Sequence, residues 1–270
     1  VAFPTIPWDD TGVFHILEHC VMGGSERYQA KSPLVEMLKT SMYTYLNAMT
    51  ASDMTFYPCS SKNDKDFENL VTVYLNNVFH PAFLKDERLF YQEGWHYSFD
   101  EEGNPSYSGI VFNEMQGRCA SPEMVSYYAV MKELFPDSPY GLISGGYPFS
   151  IPDLTYEKFT EAYHKFYSPA NAAIVLDGDM NIEKILAMID EIGLEGLDAG
   201  NSIDLPKEQK PFHADDIYAS YPITEDKAEE PAHHLILVKG VGDSRDVIRQ
   251  NSISLLMSAL CENNDSPLCN

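Results

Sequence analysis

Residues 43–79 read YTYLNAMTASDMTFYPCSSKNDKDFENLVTVYLNNVF, and the change of period inside this stretch sets the fold class. Residues 43–50 and 54–60 are strand-like runs broken by Ala51-Ser52-Asp53, which predicts a hairpin. After Asn63 the spacing turns helical: Phe67, Leu70, Val71, Tyr74 and Val78 fall on one face, with acidic residues in the first turn. A helix of this kind packs on a core.

Downstream, residues 86–93 read as a short helix, 95–99 as a strand, and 109–119 and 123–135 as helices. Residues 140–152, rich in Gly, Ser and Pro, read as an irregular surface loop. A helix over 155–167, a buried strand over 172–176 and a helix over 182–192 follow. Upstream, Ser32-Pro33 reads as a helix start, and Val1-Ala2-Phe3 as the middle of a strand, so the first strands are expected outside this window. Strands and helices that mix without strict alternation predict an α+β fold, an antiparallel or mixed sheet packed with helices. From Gly196 to about Glu230 the chain is polar and aperiodic, as a linker is. A strand over 234–238 and a helix over 247–260 then suggest the truncated start of a second similar domain, which gives a division into 1–205 and 206–270. His233 and His234, adjacent on that strand, point to opposite faces and cannot chelate one metal together.

The chemistry lies upstream, in His15-Ile16-Leu17-Glu18-His19. On a helix turning about 100° per residue, positions i, i+3 and i+4 share a face. His15 and His19 can thus bind one zinc ion, leaving Glu18 to take a proton from a water as general base. This H-x-x-E-H order is a known zinc-peptidase signature, the inverse of H-E-x-x-H. Asp9-Asp10-Thr11-Gly12 supplies turn and N-cap chemistry before the motif, and Gly23-Gly24-Ser25 a stop after it. Cys20, about 100° round from His19, reads as a buried apolar residue. A catalytic zinc needs a third protein ligand. Spacing leaves Glu87, Glu93, Glu101, Glu102 and Glu114 open, and apolar flanks narrow these to Glu93 and Glu114 without deciding between them.

Composition bounds the rest. At 44% hydrophobic residues the chain can build a real core, and no apolar run is long enough to span a membrane. A net charge of −23 opposes binding to nucleic acid and makes basic peptides the more natural ligands. Five cysteines without a C-x-x-C pair point to a reducing compartment, the cytoplasm or alternatively an organellar matrix, rather than a disulfide framework.

HILEH with its glycine pair, TYLNAMTASDMTFYP, KDFENLVTVYL, QEGWHY, GIVFNEMQG and SGGYP, in that order, closely resemble the presequence protease branch of the pitrilysin/insulinase zinc metallopeptidases. The likeness runs from about Phe3 to Asp179. It implies one Zn2+ per chain, held by His15, His19 and the glutamate of NEM, Glu114, with Glu18 as general base and Glu93 supporting a ligand histidine. It also implies that Asn47, Ala48 and Met49 border the cleft where an extended, unstructured peptide adds as a strand. Two positions depart from the family pattern: Tyr147 stands in the SGGDP loop and Gln116 replaces the lysine of NEMKG. The family closes its chamber with a C-terminal half of the same polypeptide, so a fragment of this extent is expected to bind zinc and cleave poorly. The alternative is a noncatalytic peptide-binding subunit on the same fold, recognised by loss of a metal residue.

Overall fold

The computed structural model describes residues 1–29, 33–206, 216–223, 235–236, 238–243, 245–262 and 266–267. The chain divides into two compact units, Val1–Ala228 and Glu229–Asn270. In the first unit, strands β1 (Ala2–Pro4), β3 (Met49–Thr50) and β4 (Met54–Phe56) form an antiparallel sheet in the order β1-β4-β3, which makes β3 an edge. Strands β2 (Tyr43–Leu46) and β5 (Cys59–Ser61) pair beside it. The expected hairpin is therefore present but broken into two ladders: Met49 faces Phe56 in one, Leu46 faces Cys59 in the other, and the Asn47 N–H bridges to the Pro58 carbonyl at 3.2 Å.

Helix α1 (Val13–Met22) lies at the centre, with Val13, Phe14, Ile16, Leu17, Cys20 and Val21 all buried. A helix apolar on most of its circumference is a core helix, and α3 (Asp64–Phe79), α7 (Tyr156–Phe166) and β3 pack around it. Its N-cap differs from expectation. Asp9 does make the turn, accepting from the Thr11 hydroxyl at 2.6 Å, yet the cap is Gly12 in the left-handed region (φ 70°) with no side-chain bond. Helix α3 is N-capped by Asn63, whose side chain accepts from the Asp66 N–H at 2.9 Å, and Leu70, Val71, Tyr74 and Val78 are buried. Edge-on aromatic contacts such as Phe14–Phe166, centroids 4.7 Å apart, fill the space between α1 and α7.

The expected buried strand over 172–176 is corrected. Only Ala173 bridges, to Ala2, and Val175 is 84% exposed while Ile174 and Leu176 are partly buried. The continuous apolar run covers one face of the core rather than two. A strand unforeseen in the sequence, β7 (Pro105–Ser108), pairs with β6 (His96–Phe99). The remaining helices are α2 (Pro33–Thr40), α4 (Arg88–Glu93), α5 (Ile110–Arg118), α6 (Pro122–Leu134) and α8 (Ile182–Ile189). In the second unit, α9 (Val247–Cys261) is N-capped by the Asp246 side chain, with Ile248 and Leu255 exposed. His233 and His234 lie outside the described residues, and of the strand read over 234–238 the described residues Leu235, Ile236 and Val238 carry no strand pairing. Among the described residues no helix is long and apolar enough to cross a membrane.

Under the edge strand sits a buried hydroxyl cluster. The Thr5 and Thr55 hydroxyls are 2.8 Å apart, and Thr50 reaches from β3 to the Phe14 carbonyl at 3.3 Å. Thr55→Val keeps the shape and leaves the Thr5 hydroxyl without this partner. The expected cost is about 1–3 kcal/mol, read as a lower urea midpoint at unchanged slope.

Candidate metal centre

His15 and His19 stand one turn apart on α1, ring centroids 5.0 Å apart, and face the carboxylate of Glu114 on α5. The Glu114 Oε2 atom lies 3.7 Å from His15 Nε2 and 3.8 Å from His19 Nε2. The three donor atoms lie within 4.8 Å of one another. Ligands at about 2.1 Å from a tetrahedral zinc are about 3.4 Å apart, so the set fits a zinc ion.

The other ring nitrogens fix the tautomers. His15 Nδ1 is 2.9 Å from the Gly145 carbonyl, which can only accept, so Nδ1 carries the proton and Nε2 offers its lone pair. His19 Nδ1 donates in the same way to Glu93 Oε2 at 3.3 Å. Glu93 is 9% exposed at the end of α4, and its other oxygen accepts from the Gln92 amide at 2.9 Å. The geometry thus separates the two glutamates that spacing left open: Glu114 faces Nε2 of both rings, while Glu93 holds His19 at Nδ1. Burial lowers the His15 pKa, and the neighbouring His19 adds to this against the Gly145 bond and the charges of Glu18 and Glu114. Burial also pulls on His19, but the Glu93 bond with the charges of Glu18, Glu93 and Glu114 outweighs it and raises its pKa.

The loop over 140–152 is more than the irregular surface connection its composition suggests. Asp10 clamps it, its side chain accepting from the Ile143 N–H and its carbonyl from the Tyr147 N–H, each at 2.7 Å. A Cβ at Gly145 would come within 2.9 Å of Met115 Sδ, so a glycine lets this backbone lie against α5 and present its carbonyl to His15. The Gly145-Gly146 pair was the available signal.

Glu18, Ala48, Met49 and Thr50 line a cleft of about 430 Å³ with the three candidate ligands. Arg118, Tyr127 and Tyr128, which the sequence reading missed, form part of its wall. Asn47 does not line it: its side chain accepts from the Ala48 N–H at 3.0 Å and its carbonyl from the Tyr74 hydroxyl. Tyr140, also at the cleft, donates to the Asp53 carboxylate at 2.6 Å, which pushes its pKa up to about 12.

Comparison with known proteins places these residues in context. Residues 7–91 match the family model described as Insulinase (Peptidase family M16), and residues 153–270 the model described as Peptidase M16 inactive domain. Presequence protease 1, chloroplastic/mitochondrial, of Arabidopsis thaliana is 48% identical over 66% of this chain and 17% of its own length. Protein HypA of Clostridium perfringens is 40% identical over 99% of this chain and 28% of its own. The chain spans less than a third of either relative. The crystal structure of a peptidase M16 inactive domain from Pseudomonas fluorescens superposes with a TM-score of 0.57 over 78% of this chain and 47% of that one, at 16% identity, a likeness of fold.

Proposed function

The chain belongs to peptidase family M16, and on that premise we propose that it carries the metal centre of a zinc-dependent endopeptidase acting on short, unstructured peptides. The observation that carries this reading is the convergence of His15 Nε2, His19 Nε2 and Glu114 Oε2, with both Nδ1 atoms already spoken for. A zinc ion held there would supply Lewis acidity toward a water and a peptide carbonyl. Glu18, at the same cleft, accepts the proton of the attacking water and delivers it to the leaving amine.

Peptide is taken up along β3. The Ala51 N–H bonds the Met54 carbonyl, and hydrogen-bonded and non-bonded pairs alternate in an antiparallel ladder. Met49 therefore bonds Phe56, while the N–H and C=O of Thr50 point away from β4, toward the free edge. Substrate backbone adds at this edge beside Ala48 and Met49, with Asn47 bracing the bend, and side chains are read loosely. The acidic balance of the chain, −23, favours basic peptides over nucleic acid. The C-terminal half of the full-length protein supplies the remaining walls of the cleft.

Chelation tests the reading. The full-length protein stripped with a chelator is expected to lose cleavage of a quenched-fluorescent unstructured peptide, and to regain it with one equivalent of zinc. Retained turnover after stripping would rule out the zinc mechanism. Absence of turnover at any zinc level would favour a noncatalytic peptide-binding role.

A further inference from the structure

The cleft has one feature that metal-assisted hydrolysis leaves unused. Among the described residues lining it, Arg118 is the one permanent cation, on a chain with 18 Lys and Arg against 41 Asp and Glu. It sits one turn beyond Glu114 on α5, and its Nη1 approaches Glu114 Oε1 at 3.9 Å, beyond hydrogen-bond reach. Its side chain is 52% exposed. The guanidinium also lies near the Tyr128 hydroxyl, where it opposes the rise that burial imposes on that phenol.

From this placement we infer that Arg118 forms a subsite for an acidic side chain of the peptide, within two residues of the scissile bond. The inference rests on the reading of Glu114 as a metal ligand. A Glu114 carboxylate committed to a cation has its charge neutralised, and the loose pairing with Arg118 then weakens further. The guanidinium is left facing the cleft with its fork of donors, whose geometry matches a carboxylate. Spacing sets the position. Four residues of helix rise about 6 Å, a length that an extended peptide covers in about two residues at about 3.3 Å each. The acidic surface draws basic peptides to the protein, whereas this one position selects the opposite charge.

The test reads binding rather than turnover. Zinc-loaded full-length protein carrying Glu18→Gln is titrated against fluorescein-labelled unstructured decapeptides, in which a single Glu, Gln or Lys is walked through successive positions. One position is expected to favour Glu over Gln by about fivefold, as a partly exposed ion pair allows, and to disfavour Lys. Arg118→Gln should flatten that preference and Arg118→Glu should reverse it, at unchanged zinc content. A flat scan in the parent, or a Glu preference that survives Arg118→Gln, would overturn the subsite, as would failure to bind any peptide. Cleavage by the Glu18 protein is measured in parallel. Binding with the charge preference but no cleavage would sink the peptidase reading and keep the carboxylate subsite.

Discussion

Replacing Glu18 with glutamine in the full-length protein is expected to lower peptide turnover about 10²–10⁴-fold while leaving zinc at one ion per chain. The two readouts separate because the residues are separate. His15, His19 and Glu114 converge with their donor atoms, and Glu18 lines the cleft next to them without belonging to that set. Glutamine keeps the size and the hydrogen-bonding oxygen of the side chain and removes its basicity, so the metal set is untouched and the proton has nowhere to go. KM is expected to change little, since the peptide contacts proposed above lie along β3 and not at Glu18. Zinc content is read by atomic absorption and turnover with the quenched peptide. Loss of zinc together with activity would make Glu18 a ligand, and wild-type turnover would place the base elsewhere in the protein.

What the sequence made legible was local. Helix α3 announced itself because Leu70, Val71, Tyr74 and Val78 repeat with the helical period behind an acidic first turn, and the structure buries those four. The helical register of His15 and His19 was readable for the same reason. The choice between Glu93 and Glu114 was not, because it depends on which face of the His19 ring each meets. Glu93 arrives at Nδ1 from α4 and Glu114 faces Nε2 from α5, an arrangement set by tertiary packing across 74 residues in the first case. The Gly145 carbonyl was invisible for a different reason. A backbone acceptor has no side-chain signature, and here it meets a histidine 130 residues away in sequence. The polar strand β7, PSYS, and the one-sided segment around Ala173 escaped a pattern reading that equates strands with apolar alternation and apolar runs with two buried faces.

The largest expected effect on stability comes from a position with no side chain. Gly109 caps α5, the helix that carries Glu114, at φ 153° and ψ 155°, a region essentially closed to other residues. A Cβ there would collide with the carbonyl of Gly94, the residue that follows Glu93, and would also stand 2.8 Å from the Trp95 Cα. The same Gly94 carbonyl accepts from the Phe112 N–H at 3.3 Å, so the two glycines hold the start of α5 against the end of α4. Strain at the backbone and overpacking each cost about 1–3 kcal/mol, and Gly109→Ala is therefore expected to destabilise by about 3 kcal/mol or more. Gly103 supplies the control, with φ 83° and nothing within 4 Å of an added Cβ, so that Gly103→Ala carries the conformational part alone, about 1 kcal/mol. Urea unfolding of the two variants side by side reads the difference. Because the collision falls between the helices that bring Glu93 and Glu114 to His19, any folded Gly109→Ala protein should also hold zinc more weakly, whereas Gly103→Ala should hold it as the parent does. Equal midpoints and equal zinc affinity for the two variants would show that this glycine contact does not set the distance between the carboxylates.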